Sequence, residues 1–132
     1  CAAALASWDI LEREDLLDNV KTLGPYFQAQ LQTLRDNPLV GDVRGMGLMA
    51  AVEMTIRGKD EADLLEKDYA IGEMVDRHCQ DLGLLVRPFI NICIISPPLI
   101  ITKSQIDDLV TALRIGLHRT LLELREAAVW ID

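Results

Sequence analysis

Apolar and polar positions alternate along this chain with two different periods, and the changes of period mark the elements. Between Ala2 and about Arg35, Leu5, Trp8, Ile10 and Leu11 form one apolar stripe. Leu16, Leu17, Val20, Leu23, Phe27, Leu31 and Leu34 form a second at helical spacing. This predicts one long helix kinked near Gly24-Pro25, or two helices, because a proline removes a backbone donor and crowds the preceding turn. Asp36-Asn37-Pro38 ends the segment, since the residue before a proline avoids helical geometry. From Leu39 to Thr55 the pattern shortens towards period two through Val40, Val43, Leu48, Ala50, Val52 and Met54, predicting a strand interrupted by Gly41, Gly45 and Gly47.

The polar run from Ile56 to Lys67 reads as a loop with at most a helical turn. Helical period returns from Asp68 to Leu82 through Ile71, Met74, Val75 and Cys79, and Gly83 supplies a C-terminal stop. Leu84–Arg87 and Ile92–Ile95 read as two short strands, the first ended by Pro88 and the second followed by Ser96-Pro97-Pro98. The last helix is the clearest element. Thr102 and Gln105 have capping-box spacing, and Ile106, Leu109, Val110, Leu113, Leu117, Leu121 and Leu124 follow towards about Ala127. The sum is an α+β fold, with a small three-stranded, mostly antiparallel sheet covered by helices on one face. The other sheet face is expected to be apolar, as though something packs on it.

Composition narrows the function. The chain has 132 residues, room for one ordinary domain, and a formal net charge of −8. A phosphate backbone or an anionic membrane surface calls for a basic footprint, so nucleic acid and membrane are not expected partners. No apolar run reaches the roughly 18 residues of a membrane span. Cys1, Cys79 and Cys93 form no CxxC pair, and the last two lie among apolar residues. They read as reduced, buried thiols of a cytoplasmic protein, with no metal site. The first residues read as helix interior without a cap, which suggests a piece of something longer.

No complete catalytic set is visible. His78 and His118 have no partner at ligand spacing and read as structural. Two segments stand out. In Val43-Arg44-Gly45-Met46-Gly47-Leu48-Met49, two glycines flank one residue, either as a bulge in a twisted strand or to let the backbone approach a ligand or another domain. In Gly83-Leu84-Leu85-Val86-Arg87-Pro88, an arginine ends an apolar strand. Its planar fork suits a carboxylate held by two parallel hydrogen bonds, or it pairs with an acidic surface neighbour.

Taken in order, CAAALASWDILERE, NPLVGDVRGMGLMAAVE, DLGLLVRP and SPPLIITKSQID resemble the class III aminotransferases, nearest the ω-amino acid:pyruvate branch, over nearly the whole chain. The resemblance implies that residues 1–132 are the C-terminal small domain of such an enzyme, without the large domain that carries the pyridoxal 5'-phosphate lysine and the aspartate on the pyridine nitrogen. Lys21, Lys59, Lys67 and Lys103 do not stand where that lysine would, so the chain alone is expected to bind no cofactor and to be inactive. The implied partners are the large domain of the same enzyme, an amino acid or amine, a keto acid such as pyruvate, and a second subunit in a homodimer. Arg87 matches the family arginine that clamps the substrate carboxylate, and Arg44, Gly45, Met46 and Gly47 match a turn that positions the active-site entrance. Many relatives carry Gly-Asp shortly after the Arg-Pro pair, where this chain has Phe89-Ile90-Asn91, so the pocket wall differs. Decarboxylation or amine-group migration on the same scaffold is compatible with these residues. The competing expectation is a self-standing binding module, which requires a second sheet face compatible with water; a fragment would expose an apolar patch there.

Overall fold

The computed structural model describes residues 1–55 and 61–127, the side chains of residues 61–67 excepted. Helices α1 (Ala2–Arg13) and α2 (Leu16–Gln32) lead through a single 3₁₀ turn (Thr33–Asp36) into strands β1 (Val40–Met46) and β2 (Met49–Met54). Helix α3 (Glu61–Gln80), strands β3 (Arg87–Phe89) and β4 (Ile92–Ile95), and helix α4 (Lys103–Glu126) complete the chain. The sheet is antiparallel throughout, in the order β1-β2-β4-β3.

The sheet has four strands where the sequence pattern predicts three, because the long Leu39–Thr55 run folds back on itself as a hairpin. Met46 pairs with Met49, and the turn residue Gly47 has φ +56°. A positive φ at the first central residue is the geometry of the hairpin turns that match strand twist, and glycine adopts it without strain. The bulge lies elsewhere in β1, between Val40 and Asp42.

Three further expectations are corrected. The first helical segment is indeed two helices, but the break falls at Asp15 (φ 48°) and α2 runs on through Pro25. The proline costs a helical hydrogen bond. The packing of Gly24, Phe27 and Leu31, all buried in the core, holds the helix across it. Helix α3 begins at Glu61 rather than Asp68, in a run of Glu, Ala, Leu and Lys, which favour helix whatever their polarity. The rest of the loop expectation, residues 56–60, lies outside the described residues. The first short strand is Arg87–Phe89 rather than Leu84–Arg87: residues 84–86 belong to no strand, and Pro88 does not end the strand but lies inside β3, opposite Cys93. β3 is an edge strand, where a missing N–H costs least.

Both helix-end readings hold. Thr102 Oγ1 accepts from Gln105 N at 3.3 Å while Gln105 Oε1 accepts from Thr102 N at 2.9 Å. Past the end of α3, Gly83 N and Leu84 N donate to the carbonyls of Gln80 and Cys79, both at 2.9 Å, with Gly83 at φ +79°.

The core lies between the sheet and helices α2, α3 and α4. Phe27, Leu31, Ile71, Val75, Leu113 and Leu117 from the helices are fully buried against Val52 and Cys93 from the sheet. Burying each such large apolar side chain stabilises the fold by about 1.5–3 kcal/mol. Side chains alternate along a strand, so the neighbours of Val52 and Cys93 point the other way, onto a face that no described helix covers.

The β3–β4 hairpin repeats the geometry of the first hairpin with a different residue. Phe89 pairs with Ile92, and the first central residue, Ile90, has φ +59°. A β-branched side chain there is strained by about 1–2 kcal/mol. Ile90→Gly should therefore leave the folding free energy unchanged or raise it by up to about 1 kcal/mol. Ile95→Gly, at a buried strand position, should cost more than about 3 kcal/mol. Denaturant unfolding of the two variants checks this. An equal loss at both positions would contradict the turn.

Candidate functional site

The open sheet face brings the two sequence-derived segments together. The register pairs Arg44 with Ala51, Ala51 with Ile94, and Ile94 with Arg87, so these four residues form one transverse row on one face. The two arginines stand on the outer strands, three interstrand spacings or roughly 14 Å apart between backbones. A neighbouring row runs Asp42, Glu53, Ile92, Phe89, and on the other side Met46 faces Met49. The face is apolar between its charges. Met46 is 84 % exposed, Leu85 82 %, Met49 68 % and Phe89 62 %. Two shallow hollows of about 450 and 480 Å³ adjoin along Ile94, Ile95 and Ser96, one reaching Arg87 and the other Arg44.

The two arginines differ in electrostatic state. Arg44 Nη1 donates to Glu53 Oε2 at 2.5 Å and to Asp42 Oδ2 at 3.0 Å. These bonds, Glu53 first, raise the Arg44 pKa further, and the Arg44 bond holds the Asp42 carboxyl below its ordinary value. Asp42 also accepts from Arg35. Arg44 is thus a satisfied cation whose charge two carboxylates already answer. Arg87 is exposed and has no hydrogen bond or ion pair among the described residues. Its neighbours on the face are Ile94 across the strand pair and Phe89 two residues along, and Glu53 further away is engaged by Arg44. A guanidinium among apolar groups, with neither donor edge engaged by a described residue, has the planar fork that can take a carboxylate bidentately.

Of the Arg44–Gly47 segment, Arg44 and Met46 belong to the open face. The glycines are occupied with the fold's own backbone. A Cβ on Gly45 would lie 2.3 Å from Met49 O. A Cβ on Gly24 of α2 would lie 3.0 Å from Gly47 Cα, and Gln28 Nε2 of the same helix donates to Gly47 O at 2.9 Å and to Met49 O at 3.1 Å. Sequence reasoning missed Asp42 and Glu53, which neutralise Arg44, and Ile94, which separates the arginines. The signal was present in the period-two alternation of β2, which puts Met49, Ala51 and Glu53 on one face.

The other candidate groups among the described residues lie elsewhere. His78 Nε2 lies 2.9 Å from Glu123 Oε2 on the helical side, where Arg77 also donates to Glu123 at 2.7 Å. No cluster of three potential metal ligands occurs among the described residues. No described helix is long and apolar enough to cross a membrane. A lysine that forms a Schiff base needs a neutral, desolvated amine. Lys21 is solvent-exposed and its pKa is raised by its hydrogen bond to Asp18 at 2.7 Å, and Lys103 lies 4.6 Å from the Tyr26 ring centre. Neither fits that role. Lys59 and the side chain of Lys67 lie outside the described residues.

Comparison with known proteins gives the family and the fold. The family pattern of the class III aminotransferases matches residues 1–116. The putrescine–pyruvate aminotransferase of Pseudomonas aeruginosa is 40 % identical over 120 residues, 90 % of this chain and 26 % of that protein. A mitochondrial gamma-aminobutyrate transaminase of Solanum lycopersicum is 29 % identical, covering 96 % of this chain and 24 % of its own length. The chain therefore spans about a quarter of the length of these relatives. Among solved structures, a transaminase with L-alanine superposes with TM-score 0.82 at 37 % identity, over 93 % of this chain and 29 % of that one. An ω-transferase from Vibrio fluvialis gives TM-score 0.83 at 32 % identity, over 96 % and 30 %.

The thiols offer a check on which sheet face is dry. Burial pushes Cys93, on the helical side of β4, up to about 12, and burial together with the nearby Asp76 pushes Cys79 up to about 11. Cys1 is exposed. A disulfide reagent at about pH 8 should therefore modify Cys1 alone in the folded chain, and all three cysteines after denaturation, because the thiolate is the reactive form. Rapid native modification of Cys93 would contradict the assignment of faces.

Proposed function

The chain belongs to the class III aminotransferases, and on that premise we propose that it is the C-terminal small domain of a transaminase in which Arg87 binds the carboxylate of the keto acid. The observation that carries this reading is the Arg87 guanidinium, exposed beside apolar side chains and without a hydrogen bond or ion pair among the described residues. A desolvated cation without a counter-charge is costly, so a protein that covers this face supplies an anion there. The carboxylate of an amino or keto acid is such an anion. Arg87 then acts by charge complementarity and orientation, holding the substrate in a fixed pose; it moves no proton.

Amino-group transfer in this class rests on pyridoxal 5'-phosphate as the electron sink. A solved Vibrio fluvialis aminotransferase in the PMP-bound form is 33 % identical to this chain over 93 % of its length. The residues holding the cofactor lie in the proposed large domain. That domain covers the open face, burying Met46, Met49 and Ile94, and the Arg44–Gly47 segment positions the entrance. The exposed apolar face supports a fragment over a self-standing binding module, since an unpartnered surface of this kind invites association. The buried, reduced cysteines support a cytoplasmic parent. The parent enzyme works as a homodimer on amino acids or amines with a keto acid acceptor such as pyruvate, and the isolated chain is inactive.

In the full-length enzyme, Arg87→Ala should raise KM for the keto acid about thirtyfold, the equivalent of about 2 kcal/mol for a lost charge-assisted pair. Half-reactions with carboxylate-free amines or aldehydes should stay within about twofold. Arg87→Lys should recover only part of the loss, because an ammonium lacks the planar fork. Equal losses in both half-reactions would remove the carboxylate role.

A further inference from the structure

The position of Arg87 depends on a contact made on the opposite side of its strand. β3 has three residues, pairs with one neighbour only, and includes Pro88, which has no N–H. Its own ladder therefore fixes it weakly. The hairpin tip is fixed by other means. Asn91 Nδ2 donates to Met54 O at 2.7 Å and Met54 N donates to Asn91 O at 2.8 Å, tying the tip to β2. On the helical side, the tip rests on the backbone of α3 at Gly72, which is buried. A Cβ at Gly72 would lie 1.9 Å from the Ile90 carbonyl oxygen and 3.2 Å from Pro88 Cβ. That carbonyl is aimed at α3 by the left-handed conformation of Ile90 (φ +59°), kept despite its strain.

We propose that Gly72 is a positioning residue for Arg87: by letting α3 and the β3–β4 turn meet backbone to backbone, it sets the height at which the Arg87 guanidinium stands above the open sheet face. This rests on the reading of Arg87 as the carboxylate-binding group. The side chains of Pro88 and Arg87 point to opposite faces of β3, so whatever displaces the tip away from α3 pushes Arg87 outward. An added methyl group at Gly72 needs about 3.4 Å of clearance from the Ile90 oxygen and has 1.9 Å, so the turn must move by about 1.5 Å. A displacement of about 1 Å is enough to cost a positioned interaction up to a hundredfold.

The test is steady-state kinetics of the full-length holoenzyme with a keto acid and with a carboxylate-free aldehyde acceptor, for Gly72→Ala, Asn91→Ala and Arg87→Ala. Gly72→Ala should raise KM for the keto acid about tenfold or more and leave kcat and the aldehyde constants within about twofold. Asn91→Ala loosens the tip without adding bulk, and should raise the keto acid KM about threefold with the same selectivity. It decides the matter by itself if Gly72→Ala does not fold. The inference is overturned if Arg87→Ala raises the keto acid KM while the folded Gly72 and Asn91 variants leave it unchanged. It is equally overturned if those variants impair both acceptors in parallel, as a merely structural role would. Should Arg87→Ala itself leave the keto acid KM unmoved, the failure lies with the carboxylate reading on which the inference rests.

Discussion

One-sided burial of the antiparallel sheet governs the rest of this structure. Helices α2, α3 and α4 cover a single face, and because side chains alternate along each strand, every residue committed to that core sends its neighbour to the open face. Val52 and Cys93 face the dry side, so Ala51 and Ile94 cannot. Slipping β4 by one residue against β2 would exchange the two sets and place Ile92 and Ile94 among the helices. The same register that builds the core aligns Arg44 and Arg87 across the sheet, although they lie 43 positions apart in sequence (87 − 44).

The alignment gives the two arginines different states through the residues opposite and beside them. β1 and β2 contribute Asp42 and Glu53 next to Arg44, and that corner of the sheet is a closed set of charges. β3 and β4 contribute Phe89, Ile92 and Ile94 next to Arg87, and in that corner no described residue pairs with the cation. Exposed pairs such as Arg44–Glu53 contribute little stability in water. Their effect here is to leave Arg87 as the cation of the row without a partner among the described residues.

Much of this was legible in the sequence. The capping box at Thr102, the stop at Gly83 and the stripe of α4 read correctly because each depends on local chemistry: a side chain meeting the backbone of its own turn, or a spacing within one helix. What misread were the elements decided by tertiary context. Pro25 looked like a kink or a break, and α2 runs through it without interruption, with buried side chains on either side. The long strand was a hairpin, announced only by Gly47, and a glycine in a strand signals a bulge as readily as a turn. Glu61–Lys67 was too polar to read as more than a helical turn, yet polarity does not prevent a helix. The strained turn at Ile90 had no local signal, since isoleucine is among the residues least suited to a positive φ. Of the candidate site, Arg87 and Arg44 were singled out by their place in two strand segments and by resemblance. Their difference in charge state required the register, which pairs residues that no short window contains.

The most direct test of a carboxylate-binding sheet face is a crystal structure of the full-length protein containing this segment, with a non-reactive monocarboxylate analogue of the keto acid. Expected are both carboxylate oxygens at about 2.8 Å from the Arg87 guanidinium nitrogens, with Met46, Met49 and Ile94 covered by the rest of the chain. A carboxylate bound elsewhere, with the Arg44–Ala51–Ile94–Arg87 row left in solvent, would contradict the assignment.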